Sequence, residues 1–128
     1  MQEMTINGQV YQLNFGMGFL REINKKVSAP VDGAPGATQN VGLRFYTLRL
    51  IDGDVEALVD VLDTANKGQN PRLTRTALDA FVDDVDTDID EVFDEVMGFL
   101  QTANSTKKAV LSIQEMVEKQ RQKQNQNQ

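Results

Sequence analysis

The chain has 128 residues, of which 40% are hydrophobic and 25% charged, and its net charge is −6; this composition is typical of one soluble globular domain. It contains no Cys and no His, which excludes disulfides, thiolate nucleophiles, cysteine-bound zinc and histidine as a general base. No apolar run approaches the roughly 20 residues that cross a bilayer, so we expect no membrane partner. Carboxylate or lysine chemistry stays possible in principle, but without Cys and His we expect no enzyme.

The N-terminal segment MTINGQVYQLNF predicts a β-hairpin. Asn7-Gly8 is a preferred pair for a two-residue type I′ turn, because both positions need positive φ. β-forming residues stand on both sides of the turn, and such a hairpin must rest one face on helices. The start MQEMTINGQ lacks the basic and apolar parts of a signal peptide, so we expect a cytoplasmic location.

The next two segments predict a helix and then a loop. In GMGFLREINKKV, apolar residues recur at steps of three and four, which indicates a short amphipathic helix over about 17–27. Residues 28–40, SAPVDGAPGATQN, contain prolines and glycines close together, which disfavours regular structure. We therefore expect a flexible loop at 28–40.

The run VGLRFYTLRLI fits either of two structures. Its first apolar residues alternate as in a strand, whereas Val41, Phe45, Leu48 and Ile51 share one face of a helix. The length of the run favours a helix, and its apolar character predicts that this helix is central and buried. Phe45 and Leu48 are then expected to lie in the core.

Two further helices are predicted between residues 52 and 85. Asp54 can cap the first by accepting a hydrogen bond from a free backbone N–H. Thr76 and Asp79 form a capping box for the second. The inward residues are Val55, Leu58, Val59 and Leu62 in the first helix, and Leu78, Phe81, Val82 and Val85 in the second.

The stretch DDVDTDIDEVFDE has the spacing of a calcium-binding loop. Counted from Asp84, the ligand positions of an EF-hand loop, 1, 3, 5, 7 and 12, hold Asp84, Asp86, Asp88, Asp90 and Glu95. Position 6 of such a loop is an invariant Gly at a sharp turn, and here it is Ile89. A β-branched residue suits that turn poorly, so the spacing alone does not establish a metal site.

An acidic helix with a capped start explains the same residues. From Ile89 to Leu100 the apolar residues keep helical spacing without a break. Thr87 and Asp90 form a second capping box, and the helix dipole stabilises negative charge in the first turn. The candidate partner-binding residues on this helix are Asp88, Asp90, Glu91, Asp94 and Glu95.

The charges are unevenly distributed along the chain. Residues 1–75 carry no net charge, residues 76–104 carry −9 with no base, and residues 105–128 carry +3. Such asymmetry bears on solubility and partners, and it argues against nucleic acid as a partner. The acidic face either serves solubility alone or docks a basic partner, in which case association would weaken in salt.

The C-terminal segment predicts a helix over 105–118, capped by Ser105, and a disordered Gln-rich tail at 119–128. The helix has a narrow apolar stripe, which either packs on the domain or is offered to a second chain. Leu111 lies off this stripe, and Met116 suits an adaptable surface. Both are therefore candidate partner-binding residues.

Together these segments predict a mainly α fold with a small N-terminal β-hairpin (α+β), with roughly four to five short helices around one core. The helical domain is expected to span residues 1–104. The C-terminal helix and the tail follow it.

The order of the segments resembles the tail assembly chaperones of long-tailed bacteriophages and prophages, particularly those of Gram-positive hosts. The resemblance rests on a hairpin followed at once by a helix (TINGQVYQLNFGMGFLREI), then VGLRFYTLRLIDGDVEALVDVLDTA, then LTRTALDAFVDDVDTDIDEVFDEVMGFLQTA. It covers about residues 4–104, within which the segment 28–40 looks like an insertion.

The resemblance implies a small, non-enzymatic protein without cofactor or metal, which binds the tape measure protein, keeps it soluble and helps to recruit tail tube protein. It also implies self-association, work in the cytoplasm of the infected or lysogenic host, and absence from the finished virion. One alternative is a small phage structural protein, such as a connector or tail completion protein, which would remain in particles. The other is a divalent-cation-binding module at 84–95, which calcium would stabilise.

Overall fold

The computed structural model describes residues 1–126. In these residues the chain forms six helices and two antiparallel two-stranded sheets. The elements in chain order are β1 (Gln2–Ile6), β2 (Gln9–Leu13), α1 (Met17–Lys25), β3 (Ser28–Pro30), β4 (Thr38–Asn40), α2 (Gly42–Ile51), α3 (Val55–Asn66), α4 (Arg75–Asp83), α5 (Ile89–Thr102) and α6 (Lys107–Gln126). The predicted fold class, mainly α with a small N-terminal β-hairpin, is confirmed. Within residues 1–126, no helix has both the length and the apolar character needed to cross a membrane.

The N-terminal hairpin forms as predicted and lays one face on the helices. Ile6 pairs with Gln9 across the turn, and Asn7 and Gly8 have φ of +53° and +78°, as a type I′ turn requires. Inward side chains alternate along both strands. They are Met4, Ile6, Tyr11 and Leu13.

Helix α3 lies at the centre of the core, in contact with β2 and with helices α1, α2, α4 and α5. Its start is capped as predicted, since the carboxylate of Asp54 accepts a hydrogen bond from the backbone N–H of Ala57 at 3.3 Å. Leu58 and Leu62 are fully buried. The central helix is therefore α3, whereas the sequence had favoured α2.

The buried side chain of Asn66 joins the end of α3 to the hairpin and to the loop before α4. Its Nδ2 donates to the carbonyl oxygens of Gln12 at 3.0 Å and Pro71 at 3.3 Å. Its Oδ1 accepts from the backbone N–H of Leu73 at 2.6 Å and from Nη1 of Arg72 at 3.0 Å. Because each polar atom of this amide has a partner, the side chain can be buried without a large desolvation penalty.

Helix α2 forms as predicted but turns a different face inward. Its buried residues are Gly42, Leu43, Tyr46, Thr47 and Leu50. The polar side chain of Thr47 can be buried on this face at little cost, because its hydroxyl donates a hydrogen bond to the carbonyl oxygen of Leu43 at 2.7 Å. The expectation that Phe45 and Leu48 lie in the core was wrong: Phe45 is 38% exposed beneath the guanidinium of Arg49, and Leu48 is half-buried.

Helices α1 and α2 approach each other closely at Gly42. A Cβ atom at this position would lie 1.7 Å from the carbonyl oxygen of Ile23, which belongs to the backbone of α1. The next backbone N–H, that of Leu43, donates to the side chain of Asn24 at 2.9 Å. Glycine therefore sets the distance between the two helices.

The segment 28–40 is more regular than the sequence predicted. Its ends pair as β3 and β4, and the backbone N–H of Val41 donates to the carbonyl oxygen of Val27 at 2.8 Å at the base of this hairpin. Gly33 and Gly36 have positive φ and turn the chain between the strands. The irregular loop expected over the whole segment is thus confined to its middle, because the glycines that disfavour long strands allow a short hairpin.

Helix α4 begins at a different cap from the predicted one. Thr74, and not Thr76, accepts a hydrogen bond from the backbone N–H three residues on, at 3.1 Å. Leu73 and Leu78, before and after this start, are both buried in the positions of a hydrophobic staple. Val85 lies beyond the helix end and is 95% exposed, so its predicted inward position was wrong.

Helix α5 begins at Ile89, and its apolar stripe faces the core as predicted. Val92, Val96 and Leu100 are buried. The cap is Asp88, whose carboxylate accepts from the backbone N–H of Glu91 at 3.2 Å, so the capping box assigned to Thr87 was wrong.

Helix α6 is longer than predicted. It continues from Lys107 to Gln126, so the disordered tail expected at 119–128 is helical over its described part, while residues 127–128 lie outside the described residues. Lys, Gln and Arg are good helix formers, and neither Gly nor Pro interrupts the segment. Ser105 does not directly precede this helix, and its hydroxyl instead donates to the carbonyl oxygen of Phe15 at 2.6 Å.

The close approach at Gly42 gives a direct test of the packing of α1 on α2. Gly42→Ala should destabilise the protein by about 1–3 kcal/mol, the usual cost of overpacking, because the new methyl group meets backbone. Gly98→Ala is the control, since its Cβ would meet open space and Ala favours a helix over Gly by up to about 1 kcal/mol. Urea unfolding measures both changes, and equal stability of Gly42→Ala and the parent would contradict the packing described.

Candidate functional site

Helix α5 divides the predicted acidic residues between two sides of the molecule. Asp90 and Asp94 lie one turn apart on one side, and Asp88, Glu91 and Glu95 lie on the other. The apolar stripe of the helix faces the core between them. The structure therefore places the five carboxylates on two surfaces.

The first surface is a groove between α5 and the junction of α2 with α3, with a volume of about 470 Å³. Its floor is apolar, and Asp90 and Asp94 stand on its rim. Gln114 of α6 also lines this groove. The apolar residues are Leu50, Ile51, Val55, Ile89, Phe93 and Met97.

A second groove, of about 490 Å³, adjoins the first between α3 and α4. Val55 lines both grooves and is 37% exposed, so the two grooves adjoin at this side chain. We call the two adjoining grooves together the long groove. Its α3–α4 part is lined by Val55, Glu56, Val59, Asp60, Arg75, Asp79, Val82 and Asp83.

A hydrogen-bonded cluster fixes the wall of the long groove at Asp60. One carboxylate oxygen accepts from the hydroxyl of Tyr46 at 3.0 Å, and the other accepts from the guanidinium of Arg75 at 2.6 Å. Burial, together with the bond to Asp60, raises the pKa of Tyr46 to about 12. The same carboxylate raises the pKa of Arg75 through its hydrogen bond and its charge.

The rim of the long groove is strongly acidic. Six carboxylates line it, those of Glu56, Asp60, Asp79, Asp83, Asp90 and Asp94. Among its lining residues in the described chain the one base is Arg75, and this base is already paired with Asp60. An apolar floor with a negative rim suits an amphipathic helix that carries Lys or Arg beside its apolar seam.

A separate groove of about 530 Å³ lies on the other side of α5, against the N-terminal hairpin and α4. We call it the hairpin groove. Its acidic residues are Glu3, Asp86, Asp88, Glu91 and Glu95, and its other lining residues are Met4, Thr5, Val10, Phe81, Thr87 and Val92. No base lines this groove in the part of the chain that the structure describes.

The calcium-loop spacing at 84–95 does not form a loop around an ion. Asp84 and Asp86 lie in a tight turn, in which the carboxylate of Asp84 accepts from the backbone N–H of Asp86 at 2.9 Å. Asp90 and Glu95 lie on continuous helix and point to different grooves. Over residues 1–126, no three Asp or Glu side chains are grouped so that they could hold a metal ion.

The two candidate residues of α6 lie apart from the acidic ones. Met116 is half-buried, and its sulfur accepts a hydrogen bond from Nη2 of Arg44 at 3.6 Å. Leu111 is 50% exposed and lines neither the long groove nor the hairpin groove. The structure therefore does not join these two residues to the predicted acidic face.

Sequence reasoning missed the floor of the long groove. Ile51 ends α2 and Val55 begins α3, with a break of three residues between them. Apolar residues on both sides of so short a break can meet at one surface, which is the signal that the sequence offered. Nothing in the sequence indicated that Phe93 of α5 and Val82 of α4 also line the long groove.

The fold and the grooves are those of a small helical protein with open, acid-rimmed surfaces, an architecture suited to binding other chains. The model of a family described as phage tail assembly chaperone protein, TAC, matches residues 3–115. The chain belongs to this family, as the resemblance over residues 4–104 indicated. Comparison with curated proteins and with solved structures finds no match.

The raised pKa of Tyr46 predicts that its contribution to stability depends on pH. Because the folded-state pKa of about 12 lies above the ordinary value of 10.0, this contribution is complete below pH 10 and is lost as the pH rises through 12. The parent should resist urea better than Tyr46→Phe at neutral pH, and the difference should shrink between pH 10 and pH 12. A difference that stays constant over this range would contradict the bond to Asp60.

Proposed function

We propose that this phage tail assembly chaperone binds the tape measure protein of its phage and keeps it soluble, and that the long groove holds an amphipathic helix of that protein. The observation that carries the proposal is that two grooves with apolar residues in their lining adjoin at the partly exposed Val55. Two adjoining grooves can hold several successive turns of a helix, with anchors at i, i+3, i+4 and i+7.

The chemistry of the long groove supports weak, repeated binding. Its apolar floor covers apolar side chains that would otherwise lead a long helical protein to aggregate. Its carboxylate rim favours helices with flanking Lys or Arg, speeds their encounter and makes binding sensitive to salt. No covalent step is needed, so the proposed role is non-enzymatic and requires neither cofactor nor metal.

The remaining parts of the proposed role rest on what the family resemblance implies. We propose that the chaperone covers the tape measure helix during assembly and leaves when tail tube protein takes its place. The protein would then act in the cytoplasm of the infected or lysogenic host and be absent from the finished virion. A connector or tail completion protein would instead be present in purified particles, and protein mass spectrometry of virions distinguishes these roles.

Charge reversal on the two sides of α5 tests the long groove. Asp90→Lys with Asp94→Lys should weaken capture of co-expressed tape measure protein about tenfold or more, because two attractive contacts become repulsive. Glu91→Lys with Glu95→Lys is a matched control that places the same charges on the same helix, facing the hairpin groove. Affinity capture at low and high salt measures the effect, and thermal unfolding checks that each variant is folded.

Val55→Asp tests the apolar floor separately. Val55 is partly exposed at the first position of α3, where a carboxylate is compatible with the helix dipole, so the variant should fold. It should lose most capture of the tape measure protein because a charge then lies on the floor of the groove. If the parent leaves the tape measure protein insoluble and unbound, the chaperone role is wrong. If Val55→Asp and the Asp90/Asp94 variant both capture the tape measure protein normally, the long groove is not the binding site.

A further inference from the structure

The outer edge of β1 is an unpaired sheet edge. In an antiparallel hairpin, residue pairs that are hydrogen-bonded through the backbone alternate with pairs that are not. Ile6 and Gln9 flank the two-residue turn as a hydrogen-bonded pair, so Glu3 and Thr5 belong to pairs of the other kind. Their backbone N–H and C=O groups therefore point away from β2. Both residues are exposed, and within residues 1–126 no backbone group of another element is hydrogen-bonded to them.

This edge opens into the hairpin groove. The β1 residues Glu3, Met4 and Thr5 line the groove on one side, and residues of α5 line it on the other. The groove, of about 530 Å³, thus separates β1 from α5 along the unpaired edge. A row of free N–H and C=O groups that faces a groove is a template for an added strand.

Apolar side chains line the groove beside the edge. They are those of Met4 on β1, Phe81 on α4 and Val92 on α5, and all three belong to the core or pack against it. Because the side chains of a strand alternate between two faces, an added strand would place every second side chain against this apolar lining. Apolar residues are therefore expected at alternate positions of the occupant.

The charge around the edge selects a basic occupant. Five carboxylates line the hairpin groove, and Glu91 and Glu95 among them are separated by about 6 Å along α5. Residues two apart in a strand are separated by about 7 Å, so Lys or Arg at alternate positions can pair with both. The same carboxylates oppose pairing of the β1 edges of two copies, because each edge would bring its acids to those of the other.

We propose that the hairpin groove binds an extended, basic segment of a different protein, which adds to β1 as a third strand of the N-terminal sheet. An extended occupant satisfies the free backbone groups of Glu3 and Thr5, whereas a helix, whose own backbone groups are paired internally, does not. The hairpin groove lies across α5 from the long groove, so one copy of the protein can hold a helix and an extended segment together.

A synthetic peptide tests the site in the absence of tape measure protein. The probe is a capped seven-residue peptide of alternating Lys and Val, and the control peptide has Glu in place of each Lys. The Lys peptide should bind at least about tenfold more tightly than the Glu peptide, and its binding should weaken at high salt. Fluorescence anisotropy of the labelled peptides measures both affinities. A Lys peptide that does not bind, or binds no better than the Glu peptide, would overturn the proposal.

Amide hydrogen exchange locates the contact on the strand. With the Lys peptide at saturation, the amide protons of Glu3 and Thr5 should exchange about tenfold or more slowly. Those of Met4 and Ile6 are already bonded within the hairpin and should change less. Unchanged exchange at Glu3 and Thr5 would show that no strand is added there. Protection of these two amides in the protein alone that grows with protein concentration would assign the edge to a second copy and would equally overturn the proposal.

Methylation of the peptide backbone tests strand addition from the side of the occupant. N-methyl groups on the Lys residues and N-methyl groups on the Val residues block opposite edges of an extended peptide, because successive N–H groups of a strand point in opposite directions. One methylated form should lose binding and the other should keep it. Two methylated forms that bind alike would contradict pairing with β1.

Charge reversal on α5 separates this proposal from tape measure binding. Glu91→Lys with Glu95→Lys should weaken binding of the Lys peptide at least about tenfold. The matched control, Asp90→Lys with Asp94→Lys, should bind the peptide like the parent. This is the reverse of the pattern expected for capture of the tape measure protein, so either proposal can fail without the other. Thermal unfolding checks that both variants are folded, and a folded Glu91/Glu95 variant that binds the peptide normally would rule out the hairpin groove.

Discussion

The buried amide of Asn66 is the contact on which the arrangement of the other elements depends. It holds the end of α3 against β2 and fixes the loop that leads into α4, through bonds to Gln12, Pro71 and Leu73. The backbone N–H of Asn14 adds a bond to the carbonyl oxygen of Ala65 at 2.8 Å, so hairpin and helix are joined twice. An unpaired buried amide costs about 1–3 kcal/mol for each lost partner, so this site favours one arrangement of hairpin, α3 and α4 over all others.

Both grooves depend on that arrangement. The position of α4 relative to α3 forms one part of the long groove, and the position of the hairpin relative to α4 and α5 forms the hairpin groove. The side chain of Asn7 donates to the carbonyl oxygen of Ala77 at 3.0 Å and so fixes the hairpin turn to α4. The acidic rims of the two grooves thus lie mainly on elements that these hydrogen bonds hold together.

Local patterns predicted the elements well, and tertiary contacts account for what they missed. The helical spacing from Ile89 located the start of α5, and Asn7-Gly8 located the hairpin turn. The choice of Thr74 as a cap instead of Thr76 follows from the burial of Leu73, which the sequence does not reveal. The carboxylates of α5 were predicted as one acidic face, but the elements that flank the helix divide them between two grooves. Composition alone suggested a disordered tail at 119–128, although Lys, Gln and Arg favour a helix in its described part.

The β3–β4 hairpin leaves and re-enters the body at one place, where Val27 and Val41 are hydrogen-bonded to each other. Lengthening the connection between β3 and β4 should therefore displace neither α1 nor α2 in the core. Its cost is mainly the entropy of closing a longer loop, about 0.6 kcal/mol for each doubling of length. This makes the tip between Gly33 and Gly36 a natural position for a fluorescent label or epitope, since no residue of this tip lines either groove.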